Sequence, residues 1–515
     1  MTLPRLILTG ASGFVGRHLL EAICDDWTVY GIARRSQARC GAPVHPNLTW
    51  FQVDIGDREA LAGVFGRIKA EGGADVVLHL AAHYDFTGEE HPEYFRTNVD
   101  GLRNTLDLSV DVGVKQFFFS SSVAACELPP PGETLDETSP PDGRHIYAQT
   151  KRIGETMVGG YKDRFTPVIV RFAAMFSDHC EYPPLYMFFE TWLSDAWNRH
   201  VLGGKGESAI PYLHVSDAVA FLARLLERRR EWEPREVLIA SPDGATSHNE
   251  LFAATMAHES PAPAPPIRMP KILCGPGMWA RDIAGRLLGA RPFERPWMAD
   301  YIDTVMAIDA SKTRARTGWA PRDRLEVIRR LPFLLENRRT YPLDWHRLNR
   351  AAMKTVHVPQ NLRLYQLLER HQPELVEAYS KALDEARLPS YANVSPEDHE
   401  WHHKMILRQM MNAVRTQDRH VLVAYCGDLA ERRYRKGFRE EDLCRAIAAL
   451  NGVCTSVLAR DSDATALAAE IHDDISTPLK WGVDRIQETY ETLAAADARR
   501  IRAAAAGDAA SGSGR

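Results

Sequence analysis

The sequence predicts an α/β fold, a doubly wound parallel sheet with a small substrate-binding subdomain, followed by an all-α helical bundle. Over residues 1–240, short apolar runs alternate with segments of helical periodicity. This alternation is typical of parallel strands that are covered by helices on both faces. From about residue 346 the strand signals stop and long helical patterns take over. A pattern of this kind favours a helical bundle.

The individual elements follow in chain order. Strands are predicted at residues 6–8, 28–32, 49–53, 76–80, 116–120 and 167–170, with helices near 14–25 and over 58–71, 91–112 and 145–162. Residues 241–345 are less regular. We predict a first domain over 1–345, a helical bundle over 346–502 and a disordered tail over 503–515.

Composition excludes several classes of protein. The 515 residues are 45% hydrophobic and 25% charged, as in ordinary globular chains, which excludes wholesale disorder and collagen. The net charge of −5 gives no overall attraction to nucleic acid, and no nucleic-acid partner is expected. The eight cysteines form no C-x-x-C pair, so neither a zinc site nor a disulfide framework is indicated.

Hydropathy predicts no transmembrane segment, because no run of 18 apolar residues occurs. The apolar N-terminus continues directly into a glycine pattern and is interpreted as a buried strand, not a signal peptide. A cytoplasmic location is the resulting expectation. For residues 271–290, which are apolar but interrupted by charges, three interpretations stay open: a lid, a membrane-surface patch or an ordinary amphipathic helix.

The glycine pattern is the first functional signal. The segment Gly10-Ala11-Ser12-Gly13-Phe14-Val15-Gly16 follows a predicted strand and opens a predicted helix. Glycines in this context let backbone N–H groups approach a pyrophosphate, whose charge the helix N-terminus favours. The pattern therefore predicts a dinucleotide site in a Rossmann fold.

The end of the second strand bears on the choice of dinucleotide. An acidic residue there would bind the ribose 2′-hydroxyl, but Arg34 and Arg35 occupy the place, about 18 residues past the last glycine. A guanidinium pairs well with a 2′-phosphate. The sequence thus favours NADP, with NAD as the alternative and a solvated arginine pair as the non-functional interpretation.

A second motif has the form Y-x-x-x-K. Tyr147 and Lys151 are four residues apart on a predicted helix, so both lie on one face. A nearby ammonium stabilises a phenolate, which allows proton exchange near neutral pH. Upstream, a predicted strand ends in Ser120-Ser121-Ser122, where a hydroxyl can reach a reacting oxygen.

These motifs, in this order, resemble the extended short-chain dehydrogenase/reductase family, which includes the NAD(P)-dependent epimerase/dehydratase and 3β-hydroxysteroid dehydrogenase groups. The resemblance covers roughly residues 3–340. It rests on GASGFVG (10–16), the Asp54-Ile55 pair, HLAA (79–82), TNVDG (97–101), FFFSSSVA (117–124), YAQTK (147–151) and YLHVSDAV (212–219).

The resemblance implies a role for each matched position. Its catalytic residues would be Ser122, with Ser121 as the fallback hydroxyl, Tyr147 as the acid/base and Lys151 as the group that binds the ribose and lowers the tyrosine pKa. Its cofactor-binding residues would be Gly10, Gly13, Phe14, Val15, Gly16, Arg34, Arg35, Asp54, Ile55, Ala81, Ala82, Asn98, Tyr147 and Lys151. It implies no metal ligand.

Several residues differ from the family's usual motifs, and these differences restrict the expected class of substrate. Val123 and Ala124 stand where sugar dehydratases carry an acidic pair, and Ala174 replaces the asparagine usual in nucleotide-sugar epimerases. No arginine precedes the segment 212–215, where epimerases meet a diphosphate. Together with an aromatic run over 175–192, these departures favour an uncharged, apolar substrate such as a sterol or lipid.

The sequence thus predicts an NADP-dependent oxidoreductase that interconverts a secondary alcohol and a ketone. Two alternatives stay open: a nucleotide-sugar epimerase, and a regulatory protein that senses NADP(H). The His399–His403 segment matches H-E-x-x-H but is interpreted as a solvated helix face. The bundle weakly resembles helical modules of bacterial stress regulators. Its partner, a homodimer and a peripheral membrane contact are left open.

Overall fold

The structure is a computed structural model that describes residues 3–260, 263–288, 291–352, 360–392 and 395–512. It divides into two compact units, Met1–Val356 and His357–Arg515, which are described separately. The predicted boundary at residue 345 falls inside a helix, Pro342–Ala352, whose Trp345 is fully buried in the first unit.

The first unit is built on a seven-stranded sheet in which every neighbouring pair is parallel. Its strands are β1 (Arg5–Thr9), β2 (Thr28–Ala33), β3 (Leu48–Gln52), β4 (Val76–His79), β5 (Gln116–Ser122), β6 (Thr166–Phe172) and β7 (Glu236–Ala240). Their spatial order is β3-β2-β1-β4-β5-β6-β7. The chain order reverses between β1 and β4, and ligands of such sheets bind at the carboxyl ends of the strands there.

Helices cover both faces of this sheet, which confirms the predicted fold class. The longer helices of the whole first unit are α1 (Phe14–Ile23), α2 (Arg58–Ala70), α3 (Gly101–Val112), α4 (Ile146–Gly159), α5 (Pro183–Trp192), α6 (Val215–Glu227), α7 (His248–Glu259), α8 (Lys271–Leu288), α9 (Ser311–Thr317), α10 (Val327–Thr340) and α11 (Pro342–Ala352). Short helical turns lie at Gln37–Cys40, Pro92–Phe95, Arg96–Asp100, Val123–Ala125, Pro296–Tyr301 and Asp323–Leu325.

The alternation of side chains along the strands creates two cores. On β1, Leu6 and Leu8 pack into the core that α1 and α6 cover, whereas Ile7 packs into the core beneath α2 and α3. Successive residues of a strand point to opposite faces, so an apolar run without alternation is what a sheet covered on both faces requires. All three side chains are fully buried.

A small subdomain follows β6. Short strands pair there as Ala174–Phe176 with Tyr212–His214, Ala209–Ile210 with Thr246–Ser247, and Val201–Gly203 with Ile267–Met269. Most of the aromatic run over 175–192 lies in this subdomain's own core: Phe176, Tyr186, Phe189 and Trp192 are buried. Their apolar character therefore reflects packing more than a substrate surface.

The second unit is helical. Its elements are α12 (Gln360–Arg370), α13 (Gln372–Ala386), α14 (Pro396–Thr416), α15 (His420–Arg435), α16 (Glu440–Leu458) and α17 (Thr477–Gly512), with short turns at Pro389–Tyr391, Ser462–Leu467, Ala468–Ile471 and His472–Ser476. One cluster of leucine-rich side chains forms its core. His403 is buried with its ring 4.9 Å from that of Tyr379, so this histidine does not lie on a solvated face.

Two predictions from the sequence, the C-terminal tail and the H-E-x-x-H segment, fall partly outside the described residues. Helix α17 extends to Gly512, into the segment predicted as a tail, and residues 513–515 lie outside the described residues. The side chain of His399 also lies outside them. Within the described ranges, no single helix has both the length and the apolar character to cross a membrane, and a helix pair bent by 120° passes only when its two members are taken together.

Candidate functional site

The loop between β1 and α1 forms the floor of the candidate site. Gly10 has a φ of +73°, and a Cβ on it would lie 2.6 Å from the backbone nitrogen of Ala81 on the neighbouring chain segment. A Cβ on Gly16 would lie 2.5 Å from the carbonyl oxygen of Gly10. These distances leave no room for a side chain. The loop is thereby shaped so that backbone at the N-terminus of α1 is open to an anionic group.

A cavity of about 820 Å³ opens over this loop at the switch point of the sheet. It brings together most of the predicted cofactor residues, namely Gly10, Gly13, Arg34, Arg35, Asp54, Ile55, Ala81 and Ala82. Phe14, Val15, Gly16, Asn98, Tyr147 and Lys151 are not among the residues that line it. Phe14 and Val15 pack against the sheet core instead. A glycine cradle, a helix N-terminus and basic residues beside one cavity fit a dinucleotide.

Arg34 and Arg35 differ in their surroundings. The side chain of Arg34 is 53% exposed and pairs with Glu93 at 3.2 Å. Arg35 is half-buried and donates to Ser12, through Nε to the hydroxyl at 3.3 Å and through Nη2 to the backbone carbonyl. Arg34 is therefore the arginine that can turn toward an added phosphate, while Arg35 braces the glycine loop.

Asp54 and Asn98 hold backbone in place. Asp54 accepts from the backbone nitrogen of Gly56 and from Arg96, both at 2.9 Å. Burial raises the pKa of Asp54, but these hydrogen bonds outweigh it and leave the pKa below its usual value. Asn98 is buried and clamps the backbone of His83, accepting at 2.6 Å and donating at 3.0 Å. Asn98 thus shapes the cavity wall from behind.

The three serines at the end of β5 have three different partners. Ser120 donates to the carbonyl oxygen of His79 at 2.8 Å, and Ser121 donates to the carboxylate of Glu155 at 2.6 Å. Ser122 accepts from the backbone nitrogen of Ala124 at 3.2 Å, and its proximity lowers the pKa of Tyr147. Of the two candidate hydroxyls, Ser122 is therefore the one that affects Tyr147.

Lys151 lies close to Tyr147 on the same face of α4. Its ammonium nitrogen is 5.6 Å from the ring centroid of Tyr147 and donates to the carbonyl oxygen of Ser120 at 2.6 Å. Lys151 is 3% exposed, and burial lowers its pKa to about 8, while the charge of Glu155 opposes the shift. The Y-x-x-x-K pair is thus brought together with the serine at one point.

The acidity of Tyr147 differs from the expectation that its lysine lowers the pKa. Burial raises the pKa of Tyr147 above its usual value, and the hydrogen bond with Ser122 offsets only part of the rise. The ammonium of Lys151 contacts a carbonyl oxygen instead of the phenol. Without a bound ligand, the site therefore holds the proton on the tyrosine.

Two features of the site were not found in the sequence. The ring of Tyr84, which lines the cavity, stacks on Tyr147 with centroids 4.2 Å apart. Arg171 on β6 forms a buried, bidentate ion pair with Glu155, at 2.9 and 2.8 Å. Glu155 lies four residues after Lys151, so the helical spacing that paired Tyr147 with Lys151 could have revealed it. No sequence signal marked Tyr84.

Comparisons with known proteins agree with this geometry. Residues 6–240 match the model of the NAD dependent epimerase/dehydratase family. The chain is 27% identical over 248 residues to a dTDP-D-glucose 4,6-dehydratase of Mus musculus, covering 45% of this chain and 66% of that protein. It is 31% identical over 168 residues to a 3-beta-hydroxysteroid dehydrogenase of Mycolicibacterium neoaurum, covering 31% and 43%.

Further relatives come from the same groups. The chain is 27% identical over 171 residues to a UDP-glucose 4-epimerase of Streptococcus mutans, covering 32% of this chain and 50% of that protein. It therefore spans between 43% and 66% of the length of these three relatives. A UDP-glucose 4-epimerase structure from Thermotoga maritima superposes with a TM-score of 0.50 at 20% identity, over 66% of this chain and 99% of that one, and shares the fold.

The match begins in β1, where the glycine loop follows, and ends with β7, the last strand of the sheet. The sheet, the cavity at its switch point and the cluster of Ser122, Tyr147 and Lys151 all lie within it. The segment of this chain that matches the NAD dependent epimerase/dehydratase family model is therefore the segment that holds the candidate site.

Proposed function

We propose that the chain is an NADP-dependent oxidoreductase that interconverts a secondary alcohol and a ketone. One observation carries this proposal: the ammonium nitrogen of Lys151 lies 5.6 Å from the ring centroid of Tyr147 at the serine-rich end of β5, and the ring of Tyr84, which lines the cavity floored by the glycine loop, stacks on Tyr147. A hydroxyl pair beside an ammonium is suited to moving one proton at a substrate oxygen. The nicotinamide of a bound dinucleotide would supply the hydride donor or acceptor.

The roles proposed for the chain's own groups follow from these contacts. Tyr147 gives a proton to the carbonyl oxygen, or takes one from the alcohol, and Ser122 hydrogen-bonds the same oxygen. Lys151 keeps a positive charge within reach of the phenol ring. Since burial holds the proton on Tyr147, the proposed resting state is the protonated acid, ready for ketone reduction.

We propose NADP over NAD because of Arg34. The end of β2 offers no carboxylate for a ribose 2′-hydroxyl, and the half-exposed guanidinium of Arg34 at the cavity rim suits a 2′-phosphate. Glu93 pairs with Arg34, so the guanidinium would exchange one anionic partner for another. The proposed cofactor residues are the fourteen positions that the sequence indicated.

We propose an uncharged substrate because of the charges around the cavity. The part of its wall next to Tyr84 carries Asp85, Glu89 and Glu90. The arginines on that side are already engaged, since Arg291 binds Asp282 at 2.9 Å and Glu89 at 3.0 Å. A diphosphate would meet carboxylates there without an available cation, which disfavours it.

The test is a panel of secondary alcohols and ketones, with NADP(H) absorbance as readout. Tyr147→Phe is expected to lose about 10²–10⁴-fold of the rate, the usual contribution of a positioned acid, while NADPH binding by fluorescence is retained. Tyr341→Phe, at an exposed tyrosine, is the matched control and is expected to react at the wild-type rate. Equal activity of Tyr147→Phe and wild type would refute the catalytic assignment.

The alternative with specific support is a nucleotide-sugar epimerase, because relatives of that activity match the chain. Calorimetric binding of a UDP-sugar to the full chain would favour it over the oxidoreductase. Tight NADPH binding with no turnover of any substrate in the panel would favour the sensing protein instead. A cytoplasmic location, a homodimer, a partner for the helical bundle and the division into 1–345, 346–502 and 503–515 stay predictions of the sequence.

A further inference from the structure

Helix α8 exposes most of its large apolar side chains to solvent, unlike a helix that packs against a globular core. Ile272, Trp279 and Leu287 are 82%, 61% and 83% exposed, and Leu273, Ile283 and Leu288 are exposed as well. Residues 272, 276, 279, 283 and 287 recur at helical spacing and so form one stripe along the helix. We call this stripe, with Ile267 of the preceding strand, the apolar ridge.

The buried residues of the same helix are Cys274, Asp282 and Gly285. Asp282 is 3% exposed and accepts hydrogen bonds from Arg286, Arg291 and Arg295 at 2.9 to 3.2 Å. A carboxylate that ties down three arginines fixes how the helix is rotated on the first unit. The outward direction of the apolar ridge is therefore set by an ion-pair cluster, and an exposed apolar surface of this kind marks an interaction site.

The charges around the ridge identify the partner. Between residues 267 and 288 the exposed charged side chains are all cationic: Arg268, Lys271, Arg281 and Arg286. Arg281 lies 3.6 Å from Glu294, and Arg286 pairs with Asp282 at 3.0 Å. The single acidic residue of that range is Asp282, which is buried. Lysine and arginine beside exposed tryptophan, isoleucine and leucine are the composition of helices that lie in a membrane interface with anionic lipids. Two copies of such a face would instead place cations against cations.

The ridge is also continuous with the candidate site. Arg286 approaches Glu89 of the cavity wall at 3.8 Å, and the segment that follows α8 contributes Pro292, Phe293 and Arg295 to the same wall. Phe293 lies 5.8 Å from Phe86, ring centroid to centroid. A surface that docks the ridge would therefore lie next to the cavity.

We propose that α8 is a membrane-docking helix, which seats the first unit on the surface of an anionic bilayer with the apolar ridge inserted among the lipid headgroups. Lys271 and Arg281 contact lipid phosphates, while Trp279 lies at the boundary between headgroups and acyl chains. This docking does not depend on which reaction the site performs. It adds a membrane partner that the motifs for dinucleotide binding and catalysis do not require.

The test is co-flotation of the full chain with vesicles of phosphatidylcholine alone and with added phosphatidylglycerol. We expect binding to the anionic vesicles and a loss of binding in high salt, as for other basic interfacial helices. Trp279→Asp combined with Leu287→Asp is expected to weaken binding by at least about tenfold, because it removes two apolar anchors. Trp197→Asp, at a tryptophan that is 79% exposed elsewhere, is the matched control and is expected to bind like wild type.

Three outcomes would overturn the proposal. The first is that the wild-type chain does not float with anionic vesicles. The second is that the Trp279→Asp/Leu287→Asp double variant, here called the ridge variant, floats to the same extent as wild type. The third is that light scattering shows a wild-type dimer and a monomeric ridge variant. The last result would assign the ridge to a second copy of the chain. Because these side chains are exposed, the variants are expected to keep the wild-type melting temperature, which circular dichroism checks.

Discussion

Replacing Lys151 by methionine is expected to stabilise the protein near neutral pH. Lys151 is 3% exposed on α4, and its environment consists of β5 and the ring of Tyr147. Burial lowers its pKa from 10.5 to about 8, with Glu155 opposing the shift. A buried ammonium with a lowered pKa costs the folded state free energy, whereas methionine fills a similar volume without a charge.

The size of the effect follows from proton linkage. Between the folded pKa of about 8 and the unfolded value of 10.5, the unfolded chain binds more protons than the folded chain, so the stability of wild type rises with pH across this window. At 1.36 kcal/mol per pKa unit, the shift costs about 3 kcal/mol at pH 7, and most of this cost is recovered by pH 10. The lost hydrogen bond to Ser120 offsets the gain by about 1–3 kcal/mol, largely independently of pH.

Urea unfolding of the full chain at pH 7 and pH 10, followed by circular dichroism, measures the difference. The stability advantage of Lys151→Met over wild type is expected to shrink by about 2 kcal/mol between the two pH values. Lys69→Met, at an exposed lysine of α2, is the control and is expected to show no such change. A constant difference between Lys151→Met and wild type at both pH values would refute the burial argument.

Three further predictions concern the cavity and its support. Gly16→Ala is expected to weaken NADPH binding by at least about tenfold in a fluorescence titration, because the new Cβ would lie 2.5 Å from the carbonyl oxygen of Gly10. Arg34→Ala is expected to weaken NADPH binding by about 10–100-fold and to leave NADH binding unchanged, as the loss of one charge-assisted contact predicts. Ser121→Ala is expected to lower the free energy of unfolding in urea by about 1–3 kcal/mol, because Glu155 loses a buried hydrogen-bond donor. The pH dependence of the turnover rate is expected to stay unchanged.

The fold could be predicted from the sequence because most strands of the sheet are recognisable from short stretches of neighbouring residues. The six predicted strands each contain a short apolar run, whereas β7 (Glu236–Ala240) was not predicted. The glycine loop was predictable for a similar reason, because its three glycines lie within seven consecutive residues, 10–16. Tyr147 and Lys151 are one helical turn apart, so their meeting also needed no tertiary information.

The features that sequence reasoning missed depend on contacts between distant segments. Tyr84 reaches Tyr147 from the loop after β4, and nothing in its neighbourhood announces that stack. The sequence also did not show which members of the aromatic run over 175–192 are buried. Phe176 and Phe189 are fully buried, because the small subdomain needs a core of its own, whereas Tyr182 and Phe188 are only partly buried.

The buried ion pair of Glu155 and Arg171 explains why the cluster can form at all. Both side chains are less than 10% exposed, and they join α4 to β6, while Ser121 ties the same carboxylate to β5. Breaking one partner would leave a buried charge, so the pair acts as a strong constraint on how α4 lies against the two strands. Lys151 is one turn before Glu155 on α4. The constraint therefore holds the ammonium at the end of β5, in the environment that lowers its pKa.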